Sequence, residues 1–252
     1  MILRRVIEHV RTQNWTAVAL DFVIVVVGVF IGIQLGNWND ARALRDREKN
    51  YLEQLLIDLE SDHATGERGI ASAALVDAAA EIFLEALDGA PSAAGISDAE
   101  LIRAVPFAGY AYLPQGNPTT YNEMISTGAL GLMRSVELKR AFGEYYARLS
   151  AGRQWDALLR DEQFAYRAAI RGLLTREQFA WARAHAALSP GESPPEPEFD
   201  RTEFLEKARS RPEIIDSLHS MGAVQQRLRD DSRDMADRAE ALAARVKAEL
   251  ER

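Results

Sequence analysis

The chain has 252 residues, with 30 basic and 38 acidic side chains and a formal charge of −8. That acidity disfavours a nucleic-acid binder, which needs a positive face for phosphate. The absence of cysteine excludes a disulfide framework, a thiolate nucleophile and a cysteine zinc site.

From the N-terminus, Ile2, Leu3, Val6, Ile7 and Val10 recur at three- and four-residue spacing, with Arg4, Arg5 and Arg11 on other faces. The pattern predicts an amphipathic helix over 1–14 lying along a membrane surface. Thr16 to Gly36 then carries only two strongly polar side chains, Asp21 and Gln34. At about 1.5 Å rise per residue such a run crosses a hydrocarbon layer about 30 Å thick. Trp15 and Trp38 bracket it at headgroup level, so 15–38 reads as one transmembrane helix. A cleaved leader is the alternative, but the apolar run is longer than a usual leader core and no small-x-small site follows. Arg42, Arg45, Arg47 and Lys49 balance the N-side positives, but Asp40, Asp46 and Glu48 are interleaved with them. The expectation is therefore a cytoplasmic N-terminus and an exported C-terminal region.

Gly28, Gly32 and Gly36 recur every fourth residue, and Asp21 falls on the same helix face. Small residues on one stripe let two backbones approach, so these four residues are the expected helix-packing and oligomer interface. Asp21 also has a reading as a titrating group in a proton-driven or ion-conducting assembly. The bland alternatives are glycines facing lipid and an aspartate reaching the headgroups.

Beyond the span nearly every stretch reads as helix. Tyr51, Leu52, Leu55, Leu56 and Leu59 form an apolar stripe that continues through Ile70, Ala74, Ala78 and Ile82. Gly66 and Gly69 leave open one helix with a soft point or two in succession. Gly89, Pro91 and Gly95 end it. Ser97 with Glu100 is a capping box opening a helix to about Val105, stopped by Pro106. After an aromatic loop, Phe107 to Gly116, Asn117 and Pro118 begin a helix that Gly128 ends. Ser135 opens a long helix through Trp155 and Leu158, with further apolar positions to Ala187. The Pro-rich 189–198 is a linker. Helix resumes over 201–210 and 212–252, the latter with a seam of Met221, Leu228, Met235 and Leu242 beside Gln225, Ser232, Ala239 and Val246.

The expected fold is all-α: an interfacial helix, a single transmembrane helix, a helical bundle over 39–188, the linker, and C-terminal helices over 199–252 ending in a coiled-coil-like helix.

Two blocks resemble a known family. Val25 to Asp40, VVVGVFIGIQLGNWND, and its continuation Arg47 to Asp62 look like the span exit of a bacterial family of single-span membrane proteins, a domain of unknown function. Thr119 to Tyr146 is similar to that family's Tyr-x-x-Leu/Met, Ser-x-Gly, Leu-x-Leu-Ile/Met and Glu-Leu-x-x-Ala…Tyr-Tyr run. The resemblance covers the chain to about Leu149 and implies a bacterial inner-membrane location, a helical body and, with the orientation above, a periplasmic C-terminal domain. It implies no activity. Trp15 to Val23, WTAVALDFV, is also similar to the membrane helix of flagellar-stator B subunits, where the aspartate carries protons. That likeness spans nine residues, and the mixed α/β domain expected downstream has no counterpart here.

Reactive constellations are missing from the sequence. His9, His63, His185 and His219 are scattered, with no H-E-x-x-H, and neither a phosphate-binding loop nor a G-x-S-x-G elbow occurs. No catalytic residue, metal or cofactor is expected. Acid pairs such as Asp58 with Asp62 read as solvated faces. Phe107, Tyr110, Tyr112, Tyr121, Tyr145, Tyr146 and Trp155 have two readings, core or a partner or ligand pocket. The functional expectation is a membrane-anchored interaction or scaffold protein that self-associates or joins a larger membrane complex. The alternatives are the Asp21-dependent assembly and a single-span ligand sensor.

Overall fold

A computed structural model of the chain describes residues 15–89, 91–152, 155–186 and 196–251. The predicted interfacial helix, with Arg4, Arg5 and Arg11, lies outside the described residues. So does all of the predicted linker except 196–198, which is not helical. The described residues form an all-α fold without strands. The elements are α1 (Trp15–Asp88), a 3-10 turn (Pro91–Gly95), α2 (Asp98–Phe107), α3 (Thr119–Ser126), a second 3-10 turn (Ala129–Leu132), α4 (Val136–Gly152), α5 (Asp156–Ala169), α6 (Arg176–Ala184), α7 (Arg201–Arg209) and α8 (Pro212–Leu250).

The chain divides into two units, Met1–Tyr51 and Leu52–Arg252. In its described part the first is a single helical stretch, the beginning of α1. Among the described residues it is the one helix long and apolar enough to cross a membrane.

In the second unit the first part of the α1 stripe is buried as expected, Leu52, Leu55 and Leu59 each being 4% exposed or less. Its continuation is not the one the spacing suggested: Ala74 and Ala78 are exposed and Ile70 and Ile82 half-buried, while Ala73, Val76, Ala79 and Phe83 are buried. Gly66 and Gly69 do not break the helix. Both face α8: a β-carbon on Gly66 would stand 2.6 Å from the Ser232 carbonyl oxygen, and one on Gly69 would stand 2.3 Å from the Ser232 hydroxyl. Close helix contact thus uses the absence of side chains that propensity scores as a weakness. Going down α1, Glu60 pairs with Lys247, His63 meets the Ala236 carbonyl, Gly69 meets Ser232 and Asp77 pairs with Arg229, so the two helices run antiparallel. Both rows of the α8 seam are buried within the chain, from Met221 to Val246. α1, α4 and α5 cover them.

The Ser97–Glu100 capping box is present, with the Ser97 hydroxyl accepting the Glu100 N–H at 3.2 Å and the Glu100 carboxylate accepting the Ser97 N–H at 2.8 Å. α2 passes through Pro106 rather than stopping there. Proline removes one N–H, while burial of Leu101, Ile102, Ala104 and Val105 and the bond from the Ala108 N–H to the Ala104 carbonyl hold the last turn. The long helix expected from Ser135 onward is three helices. Gly152 ends α4, and Gly172 at φ +76° separates α5 from α6. α6 is restarted by a second capping box, Thr175 with Gln178.

Candidate functional site

In the first unit, Leu20 to Leu35 present every large apolar side chain to the outside, each 48–69% exposed. Asp21 is exposed, and a β-carbon placed on Gly28, Gly32 or Gly36 meets nothing within 4 Å. The small-residue stripe is therefore open along its length. Trp38 is exposed, with the Arg42 guanidinium 6.0 Å from its ring centroid. The Trp15 side chain lies outside the described residues.

In the second unit the seven candidate aromatics do not form one patch. Tyr121 stacks on Tyr146 at 4.5 Å between centroids, Tyr145 meets Tyr146 edge-on at 5.0 Å, and Phe142 lies 6.3 Å from Tyr146. This group is core, with Phe142, Tyr145 and Tyr146 buried. Phe107 instead packs on a separate core region around Phe83, Tyr166 and Ile214. Tyr110 is exposed at its side chain, and its carbonyl accepts the Gln225 amide at 2.6 Å. Tyr112 is half-buried. Trp155 lies under the Arg227 guanidinium at 4.5 Å. Trp155 and Arg227 line a shallow cleft of about 230 Å³ in which Asp234 accepts from both Arg148 and Arg238.

The most ordered polar arrangement involves residues that the sequence placed on a solvated face. Asp58 and Asp62, one turn apart on α1, are buried at 7% and 1% exposure. The correction has a clear cause: Gly116 and Asn117, at the end of the segment between α2 and α3, lie against that turn of α1. Asp62 accepts the Asn117 N–H at 2.6 Å through one oxygen and the Tyr145 hydroxyl at 2.7 Å through the other. Asp58 accepts the Asn117 side-chain amide at 2.7 Å and the Thr120 N–H at 3.2 Å. Asn117 Oδ1 in turn accepts the Thr119 hydroxyl at 2.6 Å. Carboxylates from α1 thus fasten the entry to α3, whose first N–H groups have no partner within the helix.

Burial pushes the Asp62 carboxyl above the ordinary aspartate range. The bonds from Asn117 and Tyr145 oppose that shift, and the Asp58 charge adds to it. Burial and then the nearby Asp62 raise Tyr145, and the same two causes raise Tyr146. The Tyr146 hydroxyl is buried without a hydrogen-bond partner. Among the described residues no three of His, Cys, Asp or Glu are grouped to hold a metal ion. The i, i+4 spacing of Asp58 and Asp62 is visible in the sequence, but what covers them comes from a segment more than fifty residues away. No protein-family model, curated protein or solved structure matches this chain.

Proposed function

We propose that this protein is a membrane-anchored helical interaction module. The helix over 15–38 crosses a bilayer. The face carrying Asp21, Gly28, Gly32 and Gly36 holds a second copy or another membrane subunit. The Leu52–Arg252 unit is offered to a partner. The compartment we assign is the bacterial inner membrane, with the N-terminus cytoplasmic and the C-terminal domain periplasmic, in keeping with the family likeness of Val25–Asp62 and Thr119–Tyr146.

The observation that carries this reading is the uninterrupted exposure of the apolar side chains from Leu20 to Leu35. In water a contiguous surface of that kind drives aggregation, whereas in lipid it needs no protein partner. The open glycine stripe supports close approach of a second helix. The test has two parts. The chain should stay with membranes through alkaline carbonate and leave only with detergent. In detergent, crosslinking should capture an oligomer or complex that Gly32→Leu disrupts. Recovery in the soluble fraction, or identical crosslinking of both proteins, overturns the proposal.

A further inference from the structure

The Asp58–Asp62 pair has an unusual charge environment. Two carboxylates lie one turn apart and less than 10% exposed, and the charge that acts on Asp62 is that of Asp58. The groups facing them are neutral donors: Asn117 from the crossing segment, Thr120 from α3 and Tyr145 from α4. The Tyr146 phenol is close enough for both carboxylates to raise it, and Tyr121 stacks on its ring. The nearby basic groups are engaged elsewhere. His63 turns its ring to the Ala236 carbonyl, Arg68 donates to Thr65, and Arg148 and Arg238 hold Asp234. Two negative charges in a dry site without a countercharge are costly, and uptake of one proton is the simplest relief.

We infer that Asp62 is a proton-binding site whose occupancy controls how firmly residues 108–118 are fastened to α1. The geometry allows both of its contacts to survive protonation. A proton taken up on Oδ2 reverses the Tyr145 bond, so that the acid O–H donates and the phenol oxygen accepts. Oδ1 continues to accept the Asn117 N–H. Loss of that proton places a second negative charge beside Asp58. The protonated form is then the tight form, and the deprotonated form holds the segment less firmly. The raised Asp62 carboxyl gives the sign: because the folded state binds the proton more strongly than the unfolded chain, this contribution to stability is full below the ordinary aspartate value of 3.8 and is lost as pH rises through the folded-state value.

The test uses the full chain in non-ionic detergent. Its denaturation is followed from pH 4 to pH 8 beside Asp62→Asn, which mimics the protonated acid. Within the titration window the wild-type unfolding constant should rise by up to about tenfold per pH unit relative to the variant. At pH 7 Asp62→Asn should be at least as stable as wild type. Tyr145→Phe removes a donor to the ionised form, so it should move the wild-type midpoint to higher pH, a shift that a merely structural role would not produce. Hydrogen exchange of peptides covering 108–122, corrected for intrinsic rates, should accelerate across the same window only where Asp62 is present. Parallel pH profiles, or an Asp62→Asn chain that fails to fold or is less stable at pH 7, overturn the inference. So does stabilisation of the wild type at pH 7 by calcium or magnesium that Asp62→Asn abolishes, because a cation would then supply the missing charge.

Discussion

Gly69→Ala turns a favourable helix substitution into a damaging one. In an exposed helix interior, alanine is better than glycine by about 1 kcal/mol. Here the added carbon would lie 2.3 Å from the Ser232 hydroxyl oxygen and 2.9 Å from its β-carbon, against an ordinary contact of about 3.5–4.0 Å. Ser232 is fully buried, and its hydroxyl donates to the Leu228 carbonyl at 2.5 Å, so it has little freedom to turn away. The relief left is for α1 and α8 to part by about 1 Å, loosening contacts along the interface. Over-packing of this kind costs about 1–3 kcal/mol, and a partner side chain that is fully buried and tied to the Leu228 carbonyl argues for the upper end. After subtracting the helix gain, the expected loss is about 2 kcal/mol, roughly 30-fold in the unfolding constant. Chemical denaturation in detergent measures it. Ser232→Gly in the same chain removes both close contacts, so the double variant should recover more than additivity allows, with a coupling of about 1–3 kcal/mol. A single variant stabilised by about 1 kcal/mol, or strict additivity with Ser232→Gly, would show that the two helices do not meet as described.

Two further substitutions probe the rest of the compact unit. Tyr166→Phe deletes the donor to the Val105 carbonyl, a buried bond of 2.6 Å, and should lower stability by about 1–3 kcal/mol in the same denaturation assay. An unchanged midpoint would mean that water replaces the hydroxyl. Ser97→Ala removes the cap of α2 and should cost about 1 kcal/mol at neutral pH. Glu100 is held below its ordinary value chiefly by the Ser97 N–H, and its contribution is present above 4.5 and lost as pH falls through the lowered folded value. The Ser97→Ala penalty should therefore shrink in acid, and a pH-independent penalty would count against the capping box.

Features with a local cause are legible in the amino-acid order alone. The helix class, the Ser97–Glu100 box, the turn at Gly128 and the two-row seam of α8 all follow from spacing along one segment. The apolar character of the helix beginning at Trp15 follows in the same way, whereas the spacing leaves its unbroken continuation to Asp88 open. Features that depend on what lies opposite are not legible. Apolar periodicity continues past the end of α4 at Gly152 and across the turn at Gly172, so three helices read as one although Gly172 and the Thr175–Gln178 box are local marks. The seven aromatics resemble one patch in the sequence, but the end of α2, the loop after it, α3, α4 and the cap of α5 carry them to different parts of the unit.

By itself the sequence determined the all-α class, the Ser97 cap of α2, the left-handed stop at Gly128, and which face of α8 is apolar, since each is set within a few turns of chain. Only the tertiary structure decided that Gly66 and Gly69 are contact points rather than weak points, and that Asp58 and Asp62 are interior rather than solvated. Glycine and aspartate are read by their surroundings: the same residue is a flaw or a fit, a surface charge or a buried acid, according to the segment that folds across it.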